Sequence, residues 1–161
     1  MRAWLRGFYL SASGNAPPMD PRSGRSMVTI PAGARMRDRF VAVPEDGMPE
    51  WFSETDLDIY VEEFERSGLT GAFNRYRNVH RDWEDLALVA GQSITVPALF
   101  VGGSKDGPTI WGSRAIERFP TTLPRLTRSV ILDGCGHWTQ QERAKEVNEL
   151  LVEFLDSLGS P

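Results

Sequence analysis

The residues best suited to chemistry in this chain are an aspartate and a histidine, each lying just after a short apolar run. Asp106 lies in Gly103-Ser104-Lys105-Asp106-Gly107-Pro108, and His137 lies in Asp133-Gly134-Cys135-Gly136-His137-Trp138. A carboxylate that holds one imidazole nitrogen fixes the ring tautomer and stabilises the charged ring, which frees the other nitrogen to take a proton. Such a pair is a base, and a hydrolytic site built on it needs a nucleophile as third member. Taken singly, an aspartate in a glycine-rich turn is a turn-former and a lone histidine is a solvated or core residue. The functional reading therefore rests on their joint placement. Asp133 is a rival acid, but its position at the strand end suits it to the turn itself. Gly134 and Gly136 allow the backbone an unusual turn that presents His137.

The elements that must position this pair are legible from periodicity. Ile94 to Gly102 is a short apolar run ended by glycine and suits a buried parallel strand, although Pro97 weakens it. A helical segment follows near Ile110 to Phe119, then a second strand over Ser129 to Asp133. A final helix carries Val147, Leu150, Leu151, Phe154, Leu155 and Leu158 at the spacing of a helix packed on a sheet. Parallel strands joined by a right-handed crossover place the loops that follow them on one sheet edge, so Asp106 and His137 become neighbours. An acid followed by a histidine is also the chain order of α/β-hydrolases.

Upstream the texture differs. Residues 1–10 form an amphipathic helix with Trp4, Leu5 and Phe8 on one face, too broken in its apolar run for a signal-peptide core. About 12–49 reads as a long Pro-, Gly-, Ser- and Arg-rich loop, relieved only at Phe40-Val41-Ala42-Val43. Its arginines, at 22, 25, 35, 37 and 39, coat that loop. Ser53 and Asp56 then have capping-box spacing, followed by Leu57, Tyr60, Val61 and Phe64 at helical intervals until Gly68. A second helical stretch, about 71–89, carries Phe73, Tyr76, Trp83, Leu86 and Leu88. The chain thus divides near Gly91 into a helical region, 1–91, and an α/β region, 92–161. Two strands alone do not complete a parallel sheet, which needs cover on both faces and partners at its edges.

Composition narrows the partners. The 161 residues are 40% hydrophobic and 25% charged, enough to build a core. A net charge of −4 argues against nucleic acid or an anionic membrane and fits a neutral, apolar substrate. The single cysteine, Cys135, has no internal disulfide partner, and no apolar run is long enough to span a bilayer. The cytoplasm is the expected location, with homo-oligomerisation left open. His80, Asp82 and Glu84 lack any established metal-ligand spacing, and no cofactor is called for.

The segment Gly134-Cys135-Gly136-His137-Trp138-Thr139-Gln140-Gln141, followed by Glu146-Val147-Asn148, closely resembles the histidine segment of soluble epoxide hydrolases of the α/β-hydrolase superfamily. The resemblance extends to Val96-Pro97-Ala98-Leu99-Phe100-Val101 ahead of Asp106, where that family carries its acid. It also covers Ser67-Gly68-Leu69-Thr70-Gly71-Ala72-Phe73-Asn74-Arg75-Tyr76-Arg77-Asn78 in the family's helical cap. It implies a partial α/β-hydrolase fold, with a cap over 1–91 and the last part of the core over 92–161. It further implies His137 as the base that activates water, Asp106 as its orienting acid and Tyr76 as the phenol that hydrogen-bonds the epoxide oxygen. Trp138 and Phe73 are implied in substrate binding. A phenol suits its role because it stays protonated at neutral pH yet donates to the alkoxide that forms as the ring opens. Arg75 departs from the tryptophan that relatives often carry, which puts the local pocket shape in doubt.

Family members attack the epoxide with an aspartate on a strand-to-helix elbow and hydrolyse the resulting ester. No Gly-x-Asp-x-Gly, Gly-x-Ser-x-Gly or His-Gly-x-Pro pattern occurs in this sequence. The nucleophile and a first cap tyrosine are therefore expected ahead of Met1, and the chain by itself is expected to be inactive. Two other readings stand beside this one. One is a haloalkane or fluoroacetate dehalogenase, which shares the Asp-His ester mechanism. The other is a non-catalytic remnant, or half of a split enzyme, that binds a partner through its sheet edge.

Overall fold

The computed structural model describes residues 1–17, 32–35, 38, 40 and 47–159. Most of the long loop expected over 12–49, including Val41 to Val43 and the arginines at 22, 25, 37 and 39, lies outside the described residues. Helix α1, Arg2–Ser11, lays Leu5, Tyr9 and Leu10 into the interior, while Trp4 and Phe8 of the expected stripe are half-buried beside them. Helix α2, Glu54–Ser67, starts on the capping box read from sequence: the Ser53 side chain accepts from Asp56 N at 3.1 Å, and the Asp56 carboxylate accepts from Ser53 N at 2.8 Å. Gly68, at φ 71°, ends it.

Helices α1 and α2 pack through a cluster of Leu5, Tyr9, Phe52 and Leu57, joined by half-buried Tyr60, Val61, Phe64 and Trp138. Exposed ion pairs of Arg2 with Glu54 and Asp58, and of Arg6 with Glu54, decorate the same seam and contribute little beside the apolar burial. Leu57 is fully buried there. Its replacement by alanine removes packed methyl groups and leaves a cavity, so Leu57→Ala is expected to cost about 2–5 kcal/mol. Urea unfolding checks this: the midpoint falls while the slope stays unchanged.

The second helical stretch is two helices, α3 (Thr70–Arg77) and α4 (Val79–Leu86), broken at Asn78 and followed by a 3-10 turn over Ala87–Val89. Strand β1, Ala98–Gly103, starts only after Pro97, which has no N–H to give a ladder, so the expected residues 94–97 are not strand. It pairs in parallel with β2, Leu126–Leu132, placing Gly103 opposite Leu132. The crossover expected as one helix is three short turns, α5 (Gly107–Trp111), α6 (Ser113–Glu117) and α7 (Phe119–Thr122). Gly112 and Pro120 interrupt it, both poor helix-interior residues.

After the histidine loop come α8, Thr139–Glu142, and α9, Ala144–Ser157. Val147 and Leu150 of α9 pack on Leu132 and Cys135, with Leu99, Val101 and Val130 at the margin. Leu151, Leu155 and Leu158, expected on the same sheet, are exposed. A helix of this apolar width needs a broader sheet than two strands supply.

Candidate active site

The loops that follow β1 and β2 meet at one edge of the sheet, as the crossover rule requires. His137 Nδ1 lies 2.8 Å from Asp106 Oδ1. The other carboxylate oxygen, Asp106 Oδ2, accepts from Thr109 N at 3.1 Å and from Thr109 Oγ1 at 2.8 Å, so Asp106 is also the N-cap of α5. The turn-former and the candidate acid are one residue. Asp106 is buried, whereas the His137 side chain is 44% exposed. An ionised carboxylate can only accept, so Nδ1 carries the proton and Nε2 is left as an acceptor, without a hydrogen bond to any described residue.

Asp133 serves the turn, as expected. Its carboxylate accepts from Ser104 Oγ at 3.3 Å, and its carbonyl accepts from Arg143 at 2.6 Å. Ser104 Oγ in turn accepts from Gly134 N at 2.8 Å, tying the two loops together. Gly134 adopts φ 69°, the left-handed conformation that favours glycine. Gly136 is required for a different reason from the one expected: a Cβ there would lie 2.3 Å from Gly14 N and 2.7 Å from Ala12 O. The constraint is space rather than dihedral freedom.

That close approach brings in residues that carry no signature in the sequence. The turn after α1 runs directly beneath the histidine loop. Ala12 O accepts from His137 N at 2.9 Å, and Gly14 O accepts from Lys105 Nζ at 2.8 Å. The Glu142 carboxylate accepts from Gly14 N at 2.8 Å, Gly136 N at 2.9 Å and Trp138 N at 3.1 Å. Backbone partners such as these leave no residue-type signature. The Trp138 indole donates to Tyr9 O at 2.8 Å and lies against the Tyr9 ring, with centroids 4.4 Å apart. Burial, with Tyr60 adjacent, pushes the Tyr9 phenol well above its ordinary range, which keeps it a neutral packing group. Burial likewise pushes the Cys135 thiol up to about 11, with Glu142 adding to the effect, so this buried cysteine packs rather than reacts.

A cleft of about 960 Å³ opens beside the histidine, bounded by α1, α3 and the histidine loop. His137, Trp138, Phe73 and Tyr76 all line it, together with Trp4 and Trp111. The four residues singled out from sequence for base, phenol and pocket walls thus face one space, with Asp106 behind His137. Tyr76 is 67% exposed at the cleft. Tyr60 instead packs in the α1 and α2 cluster and accepts from Gln141 at 2.8 Å, the ordinary helix residue its stripe implied. Among the described residues no group of three or more histidine, cysteine or carboxylate side chains is arranged to hold a metal.

No family model matches the chain. It is 41% identical to epoxide hydrolase B of Mycobacterium tuberculosis over 98% of its own length and 49% of that protein. It is 42% identical to epoxide hydrolase A of the same organism, over 90% of this chain and 44% of the relative. Among solved structures, an epoxide hydrolase from an endophytic Streptomyces superposes with a TM-score of 0.88 at 52% identity, covering 98% of this chain and 46% of that one. Epoxide hydrolase A from Mycobacterium thermoresistibile gives 0.79 at 38% identity, covering 96% and 46%. The chain spans about half the length of the relatives it matches, and these epoxide hydrolases do not favour the dehalogenase reading. With its partial parallel sheet and its acid and histidine at one sheet edge, the chain belongs to the soluble epoxide hydrolases of the α/β-hydrolase superfamily and corresponds to the C-terminal half of that fold.

Proposed function

We propose that this chain supplies the water-activating and epoxide-polarising half of an epoxide hydrolase whose carboxylate nucleophile lies outside the 161 residues. The observation that carries the reading is the His137 Nδ1 to Asp106 Oδ1 contact of 2.8 Å beside an aromatic-walled cleft that Tyr76 also lines. In this scheme residues 1–91 act as cap and 92–161 as part of the core. A nucleophilic carboxylate attacks one epoxide carbon and the ring C–O bond breaks. The Tyr76 hydroxyl donates to the alkoxide as it forms, giving a hydroxyalkyl ester. Water, losing a proton to His137 Nε2, then attacks the ester carbonyl and releases the diol. Asp106 stabilises the imidazolium formed in that step.

The substrate class is a small apolar epoxide, consistent with walls of Trp4, Phe73, Trp111 and Trp138. The missing half is also the natural partner for the exposed apolar residues Ile131, Leu151, Val152 and Leu155 on β2 and α9. No helix among the described residues is long and apolar enough to cross a membrane, and a cytoplasmic site of action fits the lone, buried thiol.

The test is co-expression with the nucleophile-bearing N-terminal half of a relative such as the Streptomyces enzyme, followed by product analysis. Diol from styrene oxide supports the reading. Halide release from a chlorinated substrate without diol would replace it with the dehalogenase chemistry. In the same pair, Tyr76→Phe is expected to slow ring opening by roughly 10²–10³-fold, the scale for losing one donor to a developing oxyanion. Pre-steady-state ester formation reads this step directly, and an unchanged rate removes Tyr76 from the mechanism.

A further inference from the structure

We infer that Glu142 is a positioning residue for His137, acting through the backbone on both sides of the histidine. Its carboxylate accepts from Gly136 N at 2.9 Å and Trp138 N at 3.1 Å, the residues immediately before and after His137. The histidine's own N–H is taken by Ala12 O at 2.9 Å. Every backbone donor from 136 to 138 is therefore fixed, two of the three by one side chain. The same carboxylate accepts from Gly14 N at 2.8 Å, and so couples the turn after α1 to the histidine loop.

The geometry makes the charge matter. Three N–H groups converge on two oxygens, an arrangement suited to an acceptor-only carboxylate and unsuited to an amide. In Glu142→Gln one oxygen becomes an NH₂ group facing at least one of these N–H groups. That donor loses its partner in a part-buried setting, which is costlier than losing a solvated one. The loop then samples positions in which the imidazole leaves Asp106, because His137 is carried on the backbone that has been released. The sheet and α9 do not depend on this contact, since their packing runs through Leu132, Val147 and Leu150. Glu142 is thus distinguished from its neighbour Arg143, which bonds Asp133 O and Glu146 but touches no donor of residues 136–138.

The inference concerns the order of His137 in this chain, so its test needs no nucleophile and fails independently of the proposed reaction. Proton NMR of the full chain follows the His137 Nδ1 proton, which is shielded from solvent exchange while it is bonded to Asp106. In Glu142→Gln its exchange is expected to accelerate roughly tenfold or more, whereas Arg143→Ala leaves it at the parent rate. Equal exchange in Glu142→Gln and the parent, or an equal rise in both variants, overturns the assignment. Amide hydrogen exchange on the unaltered chain covers the case in which the glutamine variant does not fold. The Gly14, Gly136 and Trp138 amides are expected to be protected as a group, and exchange of Gly136 and Trp138 at unprotected rates overturns it.

Discussion

Replacing His137 by glutamine in the reconstituted pair is expected to stop diol release while sparing epoxide opening, so that the alkyl ester accumulates. The separation follows from the division of labour in the proposed reaction: its first step uses the external carboxylate and Tyr76, and only its second uses a base. Loss of a positioned base costs about 10²–10⁴-fold in a step it serves, and members of a catalytic unit removed singly commonly cost several powers of ten. Glutamine retains a polar side chain at the cleft, where the histidine is already 44% exposed, so folding is little affected. Intact-mass measurement after mixing with styrene oxide reads the result. The nucleophile-bearing half gains the mass of one epoxide and holds it. Undiminished turnover in His137→Gln would assign water activation to another group.

Asp106→Asn is the second large effect, and it separates chemistry from stability within one residue. Asparagine caps helices about as well as aspartate, so its oxygen can keep the two Thr109 contacts made by Asp106 Oδ2. Its amide nitrogen then faces His137 Nδ1, 2.8 Å away in the parent, and donates to it. The imidazole proton moves to Nε2, the atom that must accept from water. Turnover is expected to fall on the order of 10³–10⁴-fold, the cost of holding a catalytic imidazole in the wrong tautomer, with a thermal midpoint close to the parent's. A matched loss of stability and activity would instead mean that Asp106 serves only the α5 turn.

The neighbouring placement of these two residues was legible in the sequence because each lies in the loop that follows a strand, and chain topology alone places such loops together. The capping box at Ser53 and Asp56 was equally plain, since both partners are side chains at fixed spacing. Less of the crossover could be read. Apolar residues at 110, 116 and 119 suggest one helix, and the breaks come from Gly112 and Pro120, whose local effects outweigh periodicity. The stripe on α9 was read correctly as apolar but not as half-uncovered, because periodicity reports what a helix can bury and not how wide its sheet is. Glu142 directly follows the most recognisable segment, yet its role was hidden. Its partners are backbone N–H groups, one of them 128 residues earlier in the chain, and amides carry no residue code. The same holds for Ala12 and Gly14, whose contribution is a carbonyl and a close approach.

In the proposed reaction His137, held by Asp106 at 2.8 Å, is the base of the ester-hydrolysing step and the nucleophile comes from outside the 161 residues. The most direct test is diol formation from styrene oxide, measured for the purified chain alone and for the chain combined with a nucleophile-bearing N-terminal half. The expected result is no diol above the uncatalysed rate from the chain alone and sustained diol formation from the pair. Sustained diol formation by the isolated 161 residues would contradict the account, because it would require a nucleophile within them.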